Sequence, residues 1–130
     1  MRARGLIIAV LLGTLASAGH VAAQSLSPAF PGWERYFAVT SDPFERQGQL
    51  HLRGYIVNSY GVLASRVQLL VDSLDASGRI TAQRVEWLVG DSLPGFSRTY
   101  FEVPVRERAA AYRVSVFAFS FIQASLVESP

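Results

Sequence analysis

Apolar and polar residues alternate with a period of two through most of the chain beyond residue 33, and helical periods are scarce. Trp33 to Thr40 reads as a first strand, closed by Ser41-Asp42-Pro43. Gln49 to Asn58 is the clearest case. Leu50, Leu52, Gly54, Ile56 and Asn58 share one face, and His51, Arg53, Tyr55 and Val57 share the other. Arg66 to Leu74 follows, with Val67, Leu69 and Val71 in phase. Asp75-Ala76-Ser77-Gly78 has the aspartate and glycine of a type I turn and predicts a hairpin into Arg79 to Val89. That fourth strand changes phase between Ile80/Ala82 and Val85/Trp87/Val89, as a bulge between the two sets requires. Leu93-Pro94-Gly95 marks another turn. Ser97 to Val103 and Ala111 to Ile122 complete the series. Only 105–112 has a composition that favours a helical turn or two.

Six or seven short strands at this spacing, without helical crossovers, predict an all-β fold: a single antiparallel β-sandwich over 33–123. Residues 24–32, with two prolines and two serines, read as a linker or loosely tied N-terminus. Residues 124–130 form a C-terminal tail.

The beginning of the chain changes the picture of where the domain resides. Arg2 and Arg4, the apolar run Leu6 to Ala16 and the small residues Val21-Ala22-Ala23 have the pattern of a signal peptide. The run is shorter than the roughly 20 residues that span a bilayer. Residues 1–23 are therefore expected to be removed, with Ala18 as the alternative cleavage point. The mature chain is expected to be secreted or periplasmic, without a stable membrane anchor. All 12 basic residues are arginine, and two leave with residues 1–23. Ten then balance ten acids, so the basic footprint of a nucleic-acid partner is missing. The absence of cysteine removes disulfides, thiolate metal sites and thiol chemistry. Packing alone must hold the domain.

The order of short motifs resembles a known kind of module. Leu50 to Asn58 reads L-x-L-x-G-x-I-x-N, and Val67 to Val71 reads V-x-L-x-V. Leu74 to Gly78, Leu93 to Gly95, Phe101 to Val103 and Tyr112 to Val116 follow. This resembles small secreted bacterial β-sandwich modules of the FxLYD type, and the related CARDB layout. The segment matching F-x-L-Y-D is Val71 to Asp75, which keeps the final aspartate. The resemblance implies an immunoglobulin- or fibronectin type III-like sandwich and a non-enzymatic role, with no shared catalytic residues.

Few residues carry candidate chemistry. Gly54 reads as room for a large residue of the facing sheet, Trp33 or Trp87. Asn58 reads as a turn starter. His51 is the only histidine beyond residue 23, on the outer face, without a nucleophile motif. Asp72 and Asp75 lack the loop of a calcium site. No metal or cofactor is expected. Tyr112 is expected to tie its hydroxyl to nearby backbone. The strongest lead is the row Phe117, Phe119 and Phe121, opposite Tyr112, Val114 and Val116. Facing outward, it forms a surface for another protein of the cell envelope. Tyr100, Trp87 and Val57 then extend it. The C-terminal tail, Ala124 to Val127, folding over the row, or a phase switch at Ala118, buries it instead. Binding is expected through such a sheet face, or by strand addition at an edge. The alternative function is a carrier of a small apolar or lipid-like ligand.

Overall fold

Gln49–Asn58 forms strand β2, with the bounds its alternation gives. It is the centre of one sheet. β1 (Phe37–Arg46) and β5 (Arg98–Pro104) flank it, both antiparallel. The second sheet centres on β3 (Leu63–Leu74), between β4 (Ile80–Trp87) and β6 (Ala111–Ile122). The order β1-β2-β5 facing β4-β3-β6 gives a six-stranded antiparallel β-sandwich. These elements come from a computed structural model that describes residues 25–123. The leader assigned to residues 1–23 and the tail at 124–130 lie outside the described residues.

Hairpins link neighbours within each sheet. Gln47 and Gly48 both take positive φ between β1 and β2, as a tight two-residue turn requires. Asp75 accepts from the backbone of Ser77 and Arg79 and from the Ser77 hydroxyl. The Ser77 hydroxyl bond first, then the Arg79 amide, hold its carboxyl below the ordinary range. This is the β3–β4 turn that the sequence predicts.

Several boundaries differ from expectation. Trp33–Arg35 is a short 3-10 turn, and β1 begins only at Phe37. β1 then runs through Pro43, where the sequence suggests a stop. The strand lies at a sheet edge, where a missing N–H donor is tolerated. Residues 105–110 form a loop without helix.

The core between the sheets contains Phe37, Leu52, Ile56, Ala64, Val67, Leu69, Val71, Phe101, Val103, Val114 and Val116. Burying such side chains is the main favourable term for a domain without disulfides. Two bulges decide which residues reach the core. Ser65 opposes Ser120 and Gln68 opposes Ala118, so Arg66 and Val67 face the single residue Phe119. Arg66 sits at φ 54 in this irregularity. The next pair is Leu69–Val116, which leaves Phe117 as an extra residue on β6. Each bulge reverses the parity of its strand.

β4 turns Trp87 outward, not toward Gly54 of the facing sheet. Val85 and Trp87 pair with Leu70 and Gln68, on the outward face of the second sheet. Arg84 and Glu86 pair with the core residues Val71 and Leu69 and bond each other at the sandwich margin. The one irregularity in this hairpin falls at Thr81, between Ala82 and Ile80.

The second sheet is covered on its outward side. The Leu26 amide donates to Gln83 Oε1 at 2.7 Å, and Gln83 Nε2 returns a bond to the Leu26 carbonyl at 3.0 Å. Ala29 N–H donates to the Phe117 carbonyl at 2.7 Å. Residues 25–30 are thus a strap tied to β4 and β6. On this face Leu70, Asp72 and Ser115 are buried, although none belongs to the core between the sheets. Asp72 accepts two bonds from Arg113 and one from Gln83.

Gly54 does not make room for a tryptophan. A Cβ there meets the Thr40 carbonyl oxygen of β1 at 1.7 Å and Ser41 Cα at 2.9 Å. The crowding is with backbone of the adjacent strand, which cannot rotate away. Overpacking in a filled interior costs about 1–3 kcal/mol, and Gly54→Ala is expected at the upper end. Urea unfolding of the variant checks this; a midpoint equal to that of the parent contradicts it.

Candidate functional site

The polar group that organises one end of the sandwich is the fully buried side chain of Asn58, at the end of β2. Its Nδ2 donates to the Val62 carbonyl at 2.8 Å and to the Leu93 carbonyl at 3.1 Å. Its Oδ1 accepts from Tyr60 N–H at 2.9 Å. The Tyr60 bond is the local turn that asparagine favours at a strand end. The Leu93 bond reaches 35 positions along the chain and ties a second loop to the first. These loops are 59–62, between β2 and β3, and 88–97, between β4 and β5.

The two loops touch backbone to backbone. Phe96 N–H donates to the Tyr60 carbonyl at 3.1 Å. A Cβ on Gly95 lies 2.6 Å from the Gly61 carbonyl carbon, so a side chain there displaces one loop from the other. Leu88 and Leu93 plug the loop into the core. With these two turned inward, Val89 and Phe96 turn outward, each 78% exposed. Phe96 holds φ 56 and Asp91 holds φ 49. A bulky residue at positive φ is an uncommon and costly conformation.

Tyr60, Trp87 and Ile122, at the ends of β2, β4 and β6, are also exposed at this end of the sandwich. The opposite end has a different character. There Glu45 pairs with Arg108, and Arg79, Arg106 and Glu107 are exposed. Tyr60, Trp87, Val89, Phe96 and Ile122 thus gather at one end of the domain, beside the charges of Arg66 and Asp91, and the Glu45–Arg108 pair sits at the other.

The phenylalanine row does not form an outward surface. The extra residue at Phe117 reverses the strand, as the phase switch near Ala118 requires. Phe119 and Phe121 pack against the core. Phe119 lies 4.8 Å from Phe37, and Phe121 lies 5.1 Å from Tyr36, by ring centroids. Phe117 stays on the outward side with Arg113 and Ser115, half-buried where the strap meets β6. The three residues therefore do not share one face.

The other candidate residues take structural positions. Tyr112 donates its hydroxyl to the Glu107 carbonyl at 2.8 Å and accepts from Ala109 N–H at 2.9 Å. His51 lies under Phe44 on the outward face of the first sheet, its Nδ1 3.5 Å from a Glu102 carboxylate oxygen. Asp72 and Asp75 belong to separate bonding groups, on a sheet face and in a turn. Among the described residues no three histidine, cysteine or acidic side chains gather as a metal site. A groove of about 460 Å³ lies at the charged end, between Ser41 and Pro43 of β1 and Ala109 to Tyr112, over Leu50 and Leu52. No family model, curated protein or solved structure matches the chain.

Sequence reasoning missed the apolar end. Trp87 enters that reasoning as a strand residue, as a neighbour for Gly54 and as an extension of the phenylalanine row. Val89 and Phe96 sit in a loop without periodicity, so no pattern separates them from the buried Leu88 and Leu93.

Two variants measure these contacts. Asn58→Leu leaves the Tyr60 amide and the Val62 and Leu93 carbonyls without their partner and is expected to cost about 2–4 kcal/mol. Faster amide exchange at Tyr60 than at core strand positions accompanies that loss. Phe119→Ser with Phe121→Ser removes core aromatics. A loss above about 2 kcal/mol lowers the thermal midpoint by roughly 10 °C or more. An unchanged melt means that the row is not core.

Proposed function

We propose that this chain is a non-enzymatic interaction module of the secreted or periplasmic space that docks on another protein of the cell envelope through its apolar loop end. The observation that carries the reading is the pair Val89 and Phe96, each 78% exposed, in a loop held by Asn58 and by the Phe96 N–H bond to the Tyr60 carbonyl. Exposed apolar groups on a fixed scaffold mark partner surfaces more often than chance exposure does. Aromatic anchors of this type dominate protein interfaces. The leader pattern at residues 1–23 supports the location. The resemblance to FxLYD-type and CARDB modules supports a binding rather than a catalytic role.

A carrier of a small apolar ligand is the weaker reading. The space between the sheets is filled by Leu52, Ile56, Val67, Leu69 and Val116, all at most 1% exposed. The groove at the charged end has Leu50 and Leu52 as its floor and Arg108 on its wall, and so reaches only the margin of that filled space.

Photo-crosslinking tests the proposal. A benzoylphenylalanine at position 96 is expected to capture one discrete envelope protein in living cells. The same probe at Ala76, at the charged end, is expected to capture none. Val89→Ser with Phe96→Ser should abolish co-purification of that protein while moving the thermal midpoint by less than roughly 4 °C, the scale of 1 kcal/mol in a domain this size. Equal capture from both positions, or co-purification untouched by the double variant, removes the loop end from the function.

A further inference from the structure

The outward face of the first sheet stands apart from the loop end and from the strapped second sheet. The strand anchors of residues 25–30 are on β4 and β6, away from this face, and Tyr55 and Tyr100 at its middle are exposed. The two rings pair across β2 and β5, with centroids 5.7 Å apart and planes at 70°. Tyr100 donates its hydroxyl to Glu102 at 3.1 Å. Partial desolvation first, and then that carboxylate, push the Tyr100 phenol above its ordinary range, so it remains a donor.

Three arginines share the face, in two different states. Arg46 is neutralised by Glu102 at 2.8 Å. Arg53 and Arg98 make no ion pair among the described residues. Each guanidinium is held by a ring instead: Arg98 lies 4.4 Å from the centre of Tyr55, and Arg53 lies 4.5 Å from the centre of Phe44. Stacking fixes a guanidinium by its flat side and leaves its in-plane N–H donors free for a carboxylate. A fixed fork forms a bidentate, charge-assisted pair with less ordering cost than a mobile one.

We infer that this face binds an extended acidic segment of a protein, its carboxylates seated on Arg53 and Arg98 and its apolar residues on Tyr55 and Tyr100. Charge placement decides the class of partner. Arg53 stands opposite Glu102, and Arg98 stands opposite Val57. The two arginines are thus four residues apart along the sheet, roughly 13 Å. Asp42, also on this face, lies opposite Arg53 on the other side. A uniformly charged polyanion meets Asp42 and Glu102 as well as the arginines. A peptide with single carboxylates between apolar side chains brings fewer charges against Asp42 and Glu102 and sets its apolar residues on the tyrosines.

The test is a titration of labelled residues 24–130 with a synthetic peptide of alternating glutamate and tyrosine, followed by NMR at the arginine Nε–H and tyrosine ring signals. Shifts at Arg53, Arg98, Tyr55 and Tyr100 are expected, with affinity falling as salt rises. Arg53→Glu with Arg98→Glu should weaken binding at least tenfold in a chain whose core amide signals show it still folded, at some cost in melt from the added charge beside Asp42 and Glu102. Arg53→Lys with Arg98→Lys should recover only part of it, because an ammonium neither stacks nor forks. Val89→Ser with Phe96→Ser should leave this titration unaltered, so failure here and failure of the loop end are told apart. Binding elsewhere on the surface, or preference for heparin over the peptide, overturns the assignment. So does full retention of binding by the charge-reversed variant.

Discussion

A single buried carboxamide connects the two loops that give this domain its apolar end. Asn58 uses both donors of Nδ2 and one acceptor position of Oδ1, each on backbone, and is fully enclosed. Burying an amide is favourable only when its bonds are made, so loop 59–62 and loop 88–97 are positioned together or not at all. Everything outward at that end depends on this. Leu88 and Leu93 go into the core, and Val89 and Phe96 are left in water. The strained φ at Phe96 persists because the surroundings over-determine it.

The two sheets solve the problem of their outer faces differently. The second sheet has apolar residues on both sides, because β4 points Val85 and Trp87 away from the core and β3 points Leu70 the same way. It therefore needs a cover, and residues 25–30 supply one. The first sheet turns Leu52, Ile56, Phe101 and Val103 inward, and its outward rings, Phe44, Tyr55 and Tyr100, lie under arginines or against each other, so it needs none. Its outward arginines and tyrosines are free to face a partner. A charged edge, Arg84 with Glu86, closes one margin of the sandwich, and the ring cluster of Tyr36, Phe37, Phe119 and Phe121 closes the other.

Much of the fold is legible in the residue pattern, for a physical reason. β2 has the predicted bounds because strict alternation specifies a face and a face specifies a register, and β6 has them although its alternation breaks at Phe117. The Asp75 turn is legible because its bonds are local. The bulge at Arg66 is not, since a bulge is a relation between two strands, and the one at Phe117 shows in the residues only as an alternative, the phase switch at Ala118. Without it Phe119 and Phe121 read as an outward row. β4 misleads for a related reason: alternation shows which residues share a face, not which face is inside. Trp33 to Tyr36 has the apolar content of a strand but lies before the first pairing partner. The Tyr112 hydroxyl bonds are local and foreseeable. The exposure of Val89 and Phe96 is not, because loop residues have no period to read.

The strap has a consequence for the order of folding. Its two anchors, Gln83 and Phe117, lie on β4 and β6, which never pair with each other. They come into register only when β3 has joined both. Leu26 is 57 positions from Gln83. Closing so long a loop is entropically unfavourable until both anchors are in place. The hairpins β1–β2 and β3–β4 form from near neighbours, while the strap has no surface to dock on until the second sheet is complete. Its amides are therefore an internal record of assembly: protection at Leu26 and Ala29 appears last on refolding and is the first to go when that sheet loosens.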